Sequence, residues 1–377
     1  MRILVDYRPA LRERTGVGEF VHELVRALAR DTGVQTSDTL ALFTSSWRDR
    51  PSPDLAASVP GVRVVDCRVP VRLLTWAWNR VEWPPVEWLA GACDVVHSQS
   101  PLLIPASAAA QVVTIHDLDF LRHPESVDAE IRRDYVRLAR THAVRAHAVV
   151  VSSHYAAAEM TRELGLPDSR VHVCPPGAPE WAGEVARRQA ASPGRRILFM
   201  GTLGPRKNVG TLLAAYARLR ARVGDAPPLT LAGHTTAASA RWEAHAKEAP
   251  LAGHVTITGY VTQAQRVDLY ADARMLVLPS YDEGFGLPVL EAMACGVPVV
   301  VSSRGSLPEV AGPAALPVDP DDLEGLTDRM EALLDPSVAR IAAGRGLAQA
   351  SRFTWRACAR AARGAYAAAA EVHAHRR

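Results

Sequence analysis

The sequence predicts an α/β protein made of two Rossmann-like domains, and three observations carry that prediction. Short apolar, β-branched runs alternate with helical segments through the first half. A second alternating series begins at Arg196-Ile197-Leu198-Phe199-Met200, after a stretch, 178–194, rich in Pro, Gly, Ala and Ser. The 377 residues suffice for two domains, each with its own core. Alternation of this kind marks parallel sheets covered by helices on both faces.

Taken in order, residues 3–7 read as the first strand. Residues 17–30 read as a helix from the spacing of Phe20, Leu24, Val25 and Leu28. Residues 40–43, 62–65, 94–97, 112–115 and 149–151 read as further strands, with helical segments near 73–90, 125–146 and 153–164. The half closes on Val171-His172-Val173-Cys174-Pro175-Pro176-Gly177. Beyond 195, residues 229–232, 255–258, 275–278 and 297–301 read as strands, and the Ala/Arg-rich tail from about 321 as helix. The expected boundaries are 1–178 for a first Rossmann-like domain, 179–194 for a linker, 195–350 for a second Rossmann-like domain and 351–377 for a terminal helix. Two such sheets facing each other place a ligand at their carboxyl ends, in the cleft between them.

Composition narrows the function. At 48% hydrophobic and 22% charged the chain is ordinary for a soluble enzyme. No run is long enough for a membrane span and the first residues enter a strand directly, so a cytoplasmic location is expected. A net charge of +3 is too small to imply nucleic acid. The five cysteines are scattered without metal-ligand spacing and read as reduced. Trp76, Trp78, Trp83 and Trp88 lie with Leu73, Leu74, Arg72 and Arg80 in one segment. That segment is either a packed helix and loop or an anchor for peripheral contact at the inner membrane face, or an acceptor platform, since Trp and Arg suit headgroups and sugar faces.

The chemistry concentrates in residues 281–296, from Tyr281-Asp282-Glu283-Gly284 to Ala294-Cys295-Gly296. The stretch follows an apolar run, so Glu283 falls in a loop at a strand's carboxyl end. Pro288 suits the start of a helix and Gly296 the position past its end, which puts Glu291 on a helix of about two turns. The N–H groups of residues 286–289 would then face an anion at the helix start. A phosphate held there, with a carboxylate on either side to accept hydrogen bonds from hydroxyls, fits a nucleotide-sugar. Lys207 stands out for a different reason: the chain holds only two lysines, Lys207 and Lys247, and two asparagines, Asn79 and Asn208. A compact ammonium on a flexible stem is a point charge for phosphate that arginine does not freely replace.

With Thr15-Gly16-Val17-Gly18, Thr114-Ile115-His116-Asp117-Leu118 and Phe199 to Asn208 in the same order along the chain, the pattern resembles the large retaining family of GT-B-fold glycosyltransferases, which includes many bacterial mannosyltransferases. The resemblance implies two facing domains and a last helix crossing back onto the first, with Phe353, Trp355 and Tyr366 as anchors. It implies that Gly16, Val17 and Gly18 lie over the donor diphosphate and acceptor, and that His116 contacts the donor sugar. Arg206 and Lys207 would meet the diphosphate, Glu283 the sugar hydroxyls and Glu291 the ribose. Gly201, Thr202, Phe285, Gly286 and Leu287 would complete substrate binding. Some relatives carry an arginine where Thr202 stands here.

The expected reaction is nucleotide-sugar plus acceptor hydroxyl to α-glycoside plus nucleoside diphosphate, by front-face displacement. GDP-mannose is the favoured donor, with UDP- or dTDP-hexose next and a glycan, lipid-linked or small-molecule acceptor. No cofactor or metal is expected. Asp117-Leu118-Asp119 spells a D-x-D metal pattern, but Arg206 and Lys207 already supply the positive charge. An inactive nucleotide-sugar-binding protein is the alternative of another class. Val21 stands where a dinucleotide fingerprint needs a third glycine, which argues against a dehydrogenase. Neither glutamate sits in a glycosidase-like motif, and only two lysines exist for a pyridoxal phosphate Schiff base.

Overall fold

The structure, a computed structural model, describes residues 1–11, 14, 16–31, 38–127 and 129–376; Thr15 of the first glycine motif lies outside them. The chain divides into two compact units, Met1–Gly177 with Thr354–Arg377, and Ala178–Phe353.

Among the described residues the first unit holds seven parallel strands: β1 Arg2–Asp6, β2 Thr39–Thr44, β3 Arg63–Asp66, β4 Val95–Ser98, β5 Ala110–Thr114, β6 Ala148–Val151 and β7 Val171–Val173, in the order β3-β2-β1-β4-β5-β6-β7. Side-chain alternation explains how β1 serves two cores. Ile3 and Val5 pack with Phe20, Leu24 and Leu28 of helix Gly16–Asp31, while Leu4 packs with Phe43, Leu74 and Trp78 on the other face. The long helix Trp355–Arg376 lies against the helix Gly16–Asp31 and over β5 and β6. It buries Cys358, Ala359, Ala362, Ala365, Tyr366 and Ala369. The Tyr366 hydroxyl meets His97 Nδ1 at 2.8 Å, and His97 Nε2 meets Thr114 Oγ1 at 2.7 Å. Trp355 and Tyr366 anchor this helix, but Phe353 does not, for it packs edge-on against Phe285 in the second unit.

The second unit holds six parallel strands: β8 Arg196–Met200, β9 Leu229–Ala232, β10 Val255–Gly259, β11 Ala273–Leu278, β12 Val299–Ser302 and β13 Leu316–Val318, in the order β10-β9-β8-β11-β12-β13. From β8 the chain winds first toward β10 and then, from β11, the other way. The carboxyl ends of β8 and β11 therefore border the switch point where such sheets bind ligands.

Two segments depart from expectation. The supposed linker contains the helix Ala182–Ala191, which belongs to the second unit's core. Ala182 and Val185 are buried, and the Gln189 amide donates to the carbonyls of Tyr270, Ala271 and Ala273 at 2.7, 3.1 and 2.9 Å. The composition misled because alanine, frequent in loops and linkers, is the best helix former. The segment 73–90 is two helices, Val71–Val81 and Val86–Ala90, because Glu82 takes a left-handed conformation and Pro84-Pro85 cannot continue the turn. No helix among the described residues is long and apolar enough to cross a membrane.

The chain passes between the units at two points that lie side by side within each unit. The Ala178 N–H donates to the Phe353 carbonyl at 3.0 Å. A β-carbon on Gly177 would fall 2.1 Å from the Trp355 nitrogen, so only glycine fits.

Candidate active site

At the end of β8 the Gly201 N–H donates to the Ala232 carbonyl at 2.8 Å, tying the β8 and β9 ends together. Thr202 is exposed beside it. Pro205–Lys207 then form one tight turn, and Asn208 follows with φ of 53°. The Asn208 amide donates to the Pro320 carbonyl at 2.7 Å. Asn208 therefore earns its place through a left-handed turn and an anchor, which few side chains supply together. The turn swings Lys207 back so that its Cε passes 3.5 Å from where a β-carbon would sit on Gly201.

The end of β11 supplies the counterpart. Lys207 Nζ pairs with Glu283 Oε1, and Ser280 Oγ donates to the same oxygen at 2.8 Å. The Arg206 guanidinium lies 3.8 Å from Glu283 Oε2 and donates to the Asp282 carbonyl at 3.1 Å. The Arg206 carbonyl accepts the Tyr281 N–H at 2.8 Å, so the two loops are stitched by backbone as well. Burial pushes the Glu283 carboxyl up. The charges of Lys207 and Arg206, with hydrogen bonds from Lys207 and Ser280, outweigh burial and hold it below the usual carboxylate range. Glu283 is a carboxylate, 5% exposed, between two cations.

Helix Leu287–Ala294 starts at Gly286, whose φ of 90° strains any other residue and whose would-be β-carbon would displace Leu307 Cδ2, 2.5 Å away. The start offers fewer donors than the sequence suggested. Pro288 has no N–H, and the Val289 N–H donates to the Gly286 carbonyl at 2.9 Å. Gly286 and Leu287 remain as the open N–H groups among the described residues. The Phe285 ring is buried in the core, 5.7 Å from Phe353. Glu291 is also buried. Its Oε1 lies 3.1 Å from Arg266, and its Oε2 accepts the Tyr270 hydroxyl at 2.8 Å. Those two partners leave lone pairs on both oxygens. Ser280, Arg266 and Tyr270 carried no motif that would have singled them out. Asp322 caps helix Leu323–Ala332 through the Gly325 N–H at 2.8 Å.

In the first unit, Gly16, Val17 and Gly18 form the first turn of helix Gly16–Asp31 after β1. Gly16 and Val17 are exposed, and a β-carbon on Gly16 would meet nothing within 4 Å. His116 follows β5. Its ring stands edge-on to Phe20 at 5.0 Å, and its Nε2 is buried with no hydrogen-bond partner among the described residues. Burial lowers its pKa to about 4 although Asp117 pulls the other way, so the imidazole is neutral at pH 7. Asp117 Oδ1 accepts the Asp119 N–H at 3.1 Å, a local turn within this D-x-D. No group of three His, Cys, Asp or Glu among the described residues is arranged to hold a metal ion. Chemically, the second unit can neutralise an anion with two cations and two N–H donors beside a carboxylate that accepts from hydroxyls.

Residues 184–343 match the family model "Glycosyl transferases group 1", and residues 15–177 match "Glycosyl transferase 4-like domain". The O-antigen chain mannosyltransferase B of Escherichia coli is 31% identical over 95% of this chain and 97% of its own. The chain belongs to the group 1 glycosyltransferases. These are retaining hexosyltransferases of the GT-B fold, using nucleotide-sugar donors. The glycosyltransferase is also similar to the glycogen synthase of Mycobacterium tuberculosis, 31% identical over 98% of this chain and 95% of that one. Among solved structures, sucrose-phosphate synthase from Thermosynechococcus elongatus shares the fold with a TM-score of 0.75 at 22% identity, covering 97% and 98% of the two chains. The Anabaena protein HepE, crystallised with UDP-glucose, does so with a TM-score of 0.67 at 16% identity, covering 97% and 99%.

Proposed function

We propose that this glycosyltransferase moves mannose from GDP-mannose to an acceptor hydroxyl with retention at the anomeric carbon. The observation that carries the reading is the cluster of Lys207, Arg206 and Glu283 at the switch point, beside the open N–H groups of Gly286 and Leu287. Lys207, Arg206 and those N–H groups take the diphosphate, flanked by Gly201 and Thr202. Glu283 accepts from sugar hydroxyls, Glu291 from the ribose, and the unpartnered His116 Nε2 from or to a sugar hydroxyl. Gly16, Val17 and Gly18 leave room for the acceptor and the diphosphate. The bond from the anomeric carbon to the diphosphate breaks while the acceptor oxygen bonds to the same face. The acceptor proton passes to the departing phosphate oxygen, so no protein nucleophile is required. Negative charge grows on the bridging oxygen, where fixed cations stabilise it most.

Mannose is supported by the likeness to the Escherichia coli mannosyltransferase. The equal identity to glycogen synthase favours, as a second reading, transfer of another hexose; UDP and dTDP are the carriers to test for it. Thermal shifts with GDP, UDP, dTDP and ADP separate the two, since a ligand at 100 times its Kd stabilises by about 2.7 kcal/mol. A shift with GDP, followed by GDP release from GDP-mannose only when acceptor is added, is expected. A shift with UDP alone overturns the donor. The reaction should survive EDTA; loss restored by Mn²⁺ would make Asp117 and Asp119 ligands. The acceptor class is a glycan, a lipid-linked glycan or a small molecule. The reading puts the protein in the cytoplasm with peripheral contact to a membrane.

A further inference from the structure

Among the described residues, every exposed tryptophan lies between 47 and 88: Trp47, Trp76, Trp83 and Trp88. Trp78 is not one of them. It is buried against Phe43, its Nε1 donates to the Pro84 carbonyl at 3.0 Å, and the Arg8 guanidinium lies 4.8 Å over its ring. Helix Val71–Val81 thus uses Leu74 and Trp78 for the core and still presents Leu73 and Trp76, each 57% exposed, to the outside. A helix apolar on two faces has one face without a partner. Trp83 and Trp88, 55% and 69% exposed, meet edge to face at 5.9 Å and extend that face.

Charge decides what covers it. The two acids of residues 68–88, Glu82 and Glu87, and the nearby Asp66 are already engaged. Asp66 pairs with Arg50 at 2.7 Å, and Glu82 with Arg145 at 2.5 Å. Glu87 accepts the N–H groups of Ser107, Ala108 and Ala109 at 2.9 to 3.1 Å. Arg68, Arg72 and Arg80 stand exposed among the indoles. A rigid apolar surface with neutralised acids and outward arginines complements anionic headgroups over acyl chains. Indole suits that boundary, with an apolar body and a polar N–H.

We propose that residues 68–88 dock on an anionic lipid bilayer, with Leu73, Trp76, Trp83 and Trp88 entering the interface and Arg68, Arg72 and Arg80 meeting lipid phosphates. This deepens the membrane contact proposed above and is independent of which sugar is transferred. Vesicle flotation of the full chain tests it, with phosphatidylglycerol-containing and pure phosphatidylcholine vesicles. Nucleotide thermal shifts are measured on the same samples, so that loss of lipid binding is told apart from failure of the donor assignment. Flotation with the anionic vesicles, a blue shift of indole fluorescence and loss of both in Leu73→Ser/Trp76→Ser/Trp88→Ser are expected. Arg72→Gln/Arg80→Gln should weaken partitioning by about fivefold per arginine. All these side chains are exposed, so the variants should keep the wild-type melting temperature and nucleotide response. No flotation with anionic vesicles overturns the proposal, as does equal flotation with phosphatidylcholine. A dimer in sedimentation that the triple variant abolishes, without vesicle binding, would assign the face to a second copy of the chain.

Discussion

Lys207 and Glu283 satisfy each other inside the fold, and this changes what a substitution at either one reports. Lys207→Ala strips the ammonium from a buried carboxylate. The expected stability loss is about 3 kcal/mol, and turnover should fall about a hundredfold from lost leaving-group stabilisation. Lys207→Ala/Glu283→Gln should recover the melting temperature and leave turnover low, which separates the two effects. Arg206→Ala, at 3.8 Å from the carboxylate, should lose little stability and a similar factor in turnover. Near wild-type rates in Lys207→Ala and Arg206→Ala would remove the diphosphate assignment. Glu291→Gln should raise KM for the donor with kcat little changed, because a ribose contact is the same in ground and transition states. Glu283→Gln should lower kcat, because positive charge develops at the anomeric carbon beside it. Nucleoside diphosphate titrations and saturating rates distinguish them; the reverse pattern would exchange the two roles. Both carboxylates and Lys207 stood out in the sequence by spacing and rarity. Their pairing did not, because Lys207 and Glu283 meet only through the β8–β11 neighbourhood, which no local pattern encodes. Asn208 sits in the motif, and its visible task is a left-handed turn.

At the scale of elements, the strands were the most legible parts, since β-branched runs bounded by Gly and Pro have few other readings. Edge strand β13 escaped, being three residues with Pro317 at its centre. Helix Ala182–Ala191 escaped because its periodicity is carried by Ala and Val, too small to mark a buried face. Its grip on the sheet comes largely from Gln189, which closes three carbonyls at the end of helix Gln263–Ala271 and the start of β11. Gln189→Ala removes the side-chain donor from all three carbonyls. A loss of about 2 kcal/mol in urea unfolding is expected, while Gln189→Glu should be worse, since a carboxylate offers no N–H. An unchanged midpoint in Gln189→Ala would return the segment to a linker.

Across the whole molecule the histidines are unevenly placed. His22, His116, His142 and His147 have pKa values lowered to about 4 and His97 to about 3, each chiefly by burial, and all five belong to the first unit. An unfolded imidazole titrates near 6.5. Below that pH the unfolded chain takes up protons that the folded unit refuses. Stability is therefore complete above about pH 6.5 and falls as pH drops toward 4. His97 alone should account for on the order of 2 kcal/mol between pH 7.5 and pH 5. Scanning calorimetry should show a transition for the first unit that moves to lower temperature at pH 5, and His97→Gln should blunt that movement. Identical profiles at the two pH values would refute it.

The paired passage at Gly177–Ala178 and Phe353–Thr354 has a meaning at the level of the gene. The second unit is an insertion, entered and left at neighbouring points, with its own ends 3.0 Å apart between the Ala178 nitrogen and the Phe353 oxygen. Such a segment can be lifted out as a cassette. Recombination at these two codons would exchange the half proposed to bind the nucleotide for that of a relative while leaving β1 to β7 and their terminal helix uncut. Donor choice could then change in a single genetic step, provided that glycine is kept at 177.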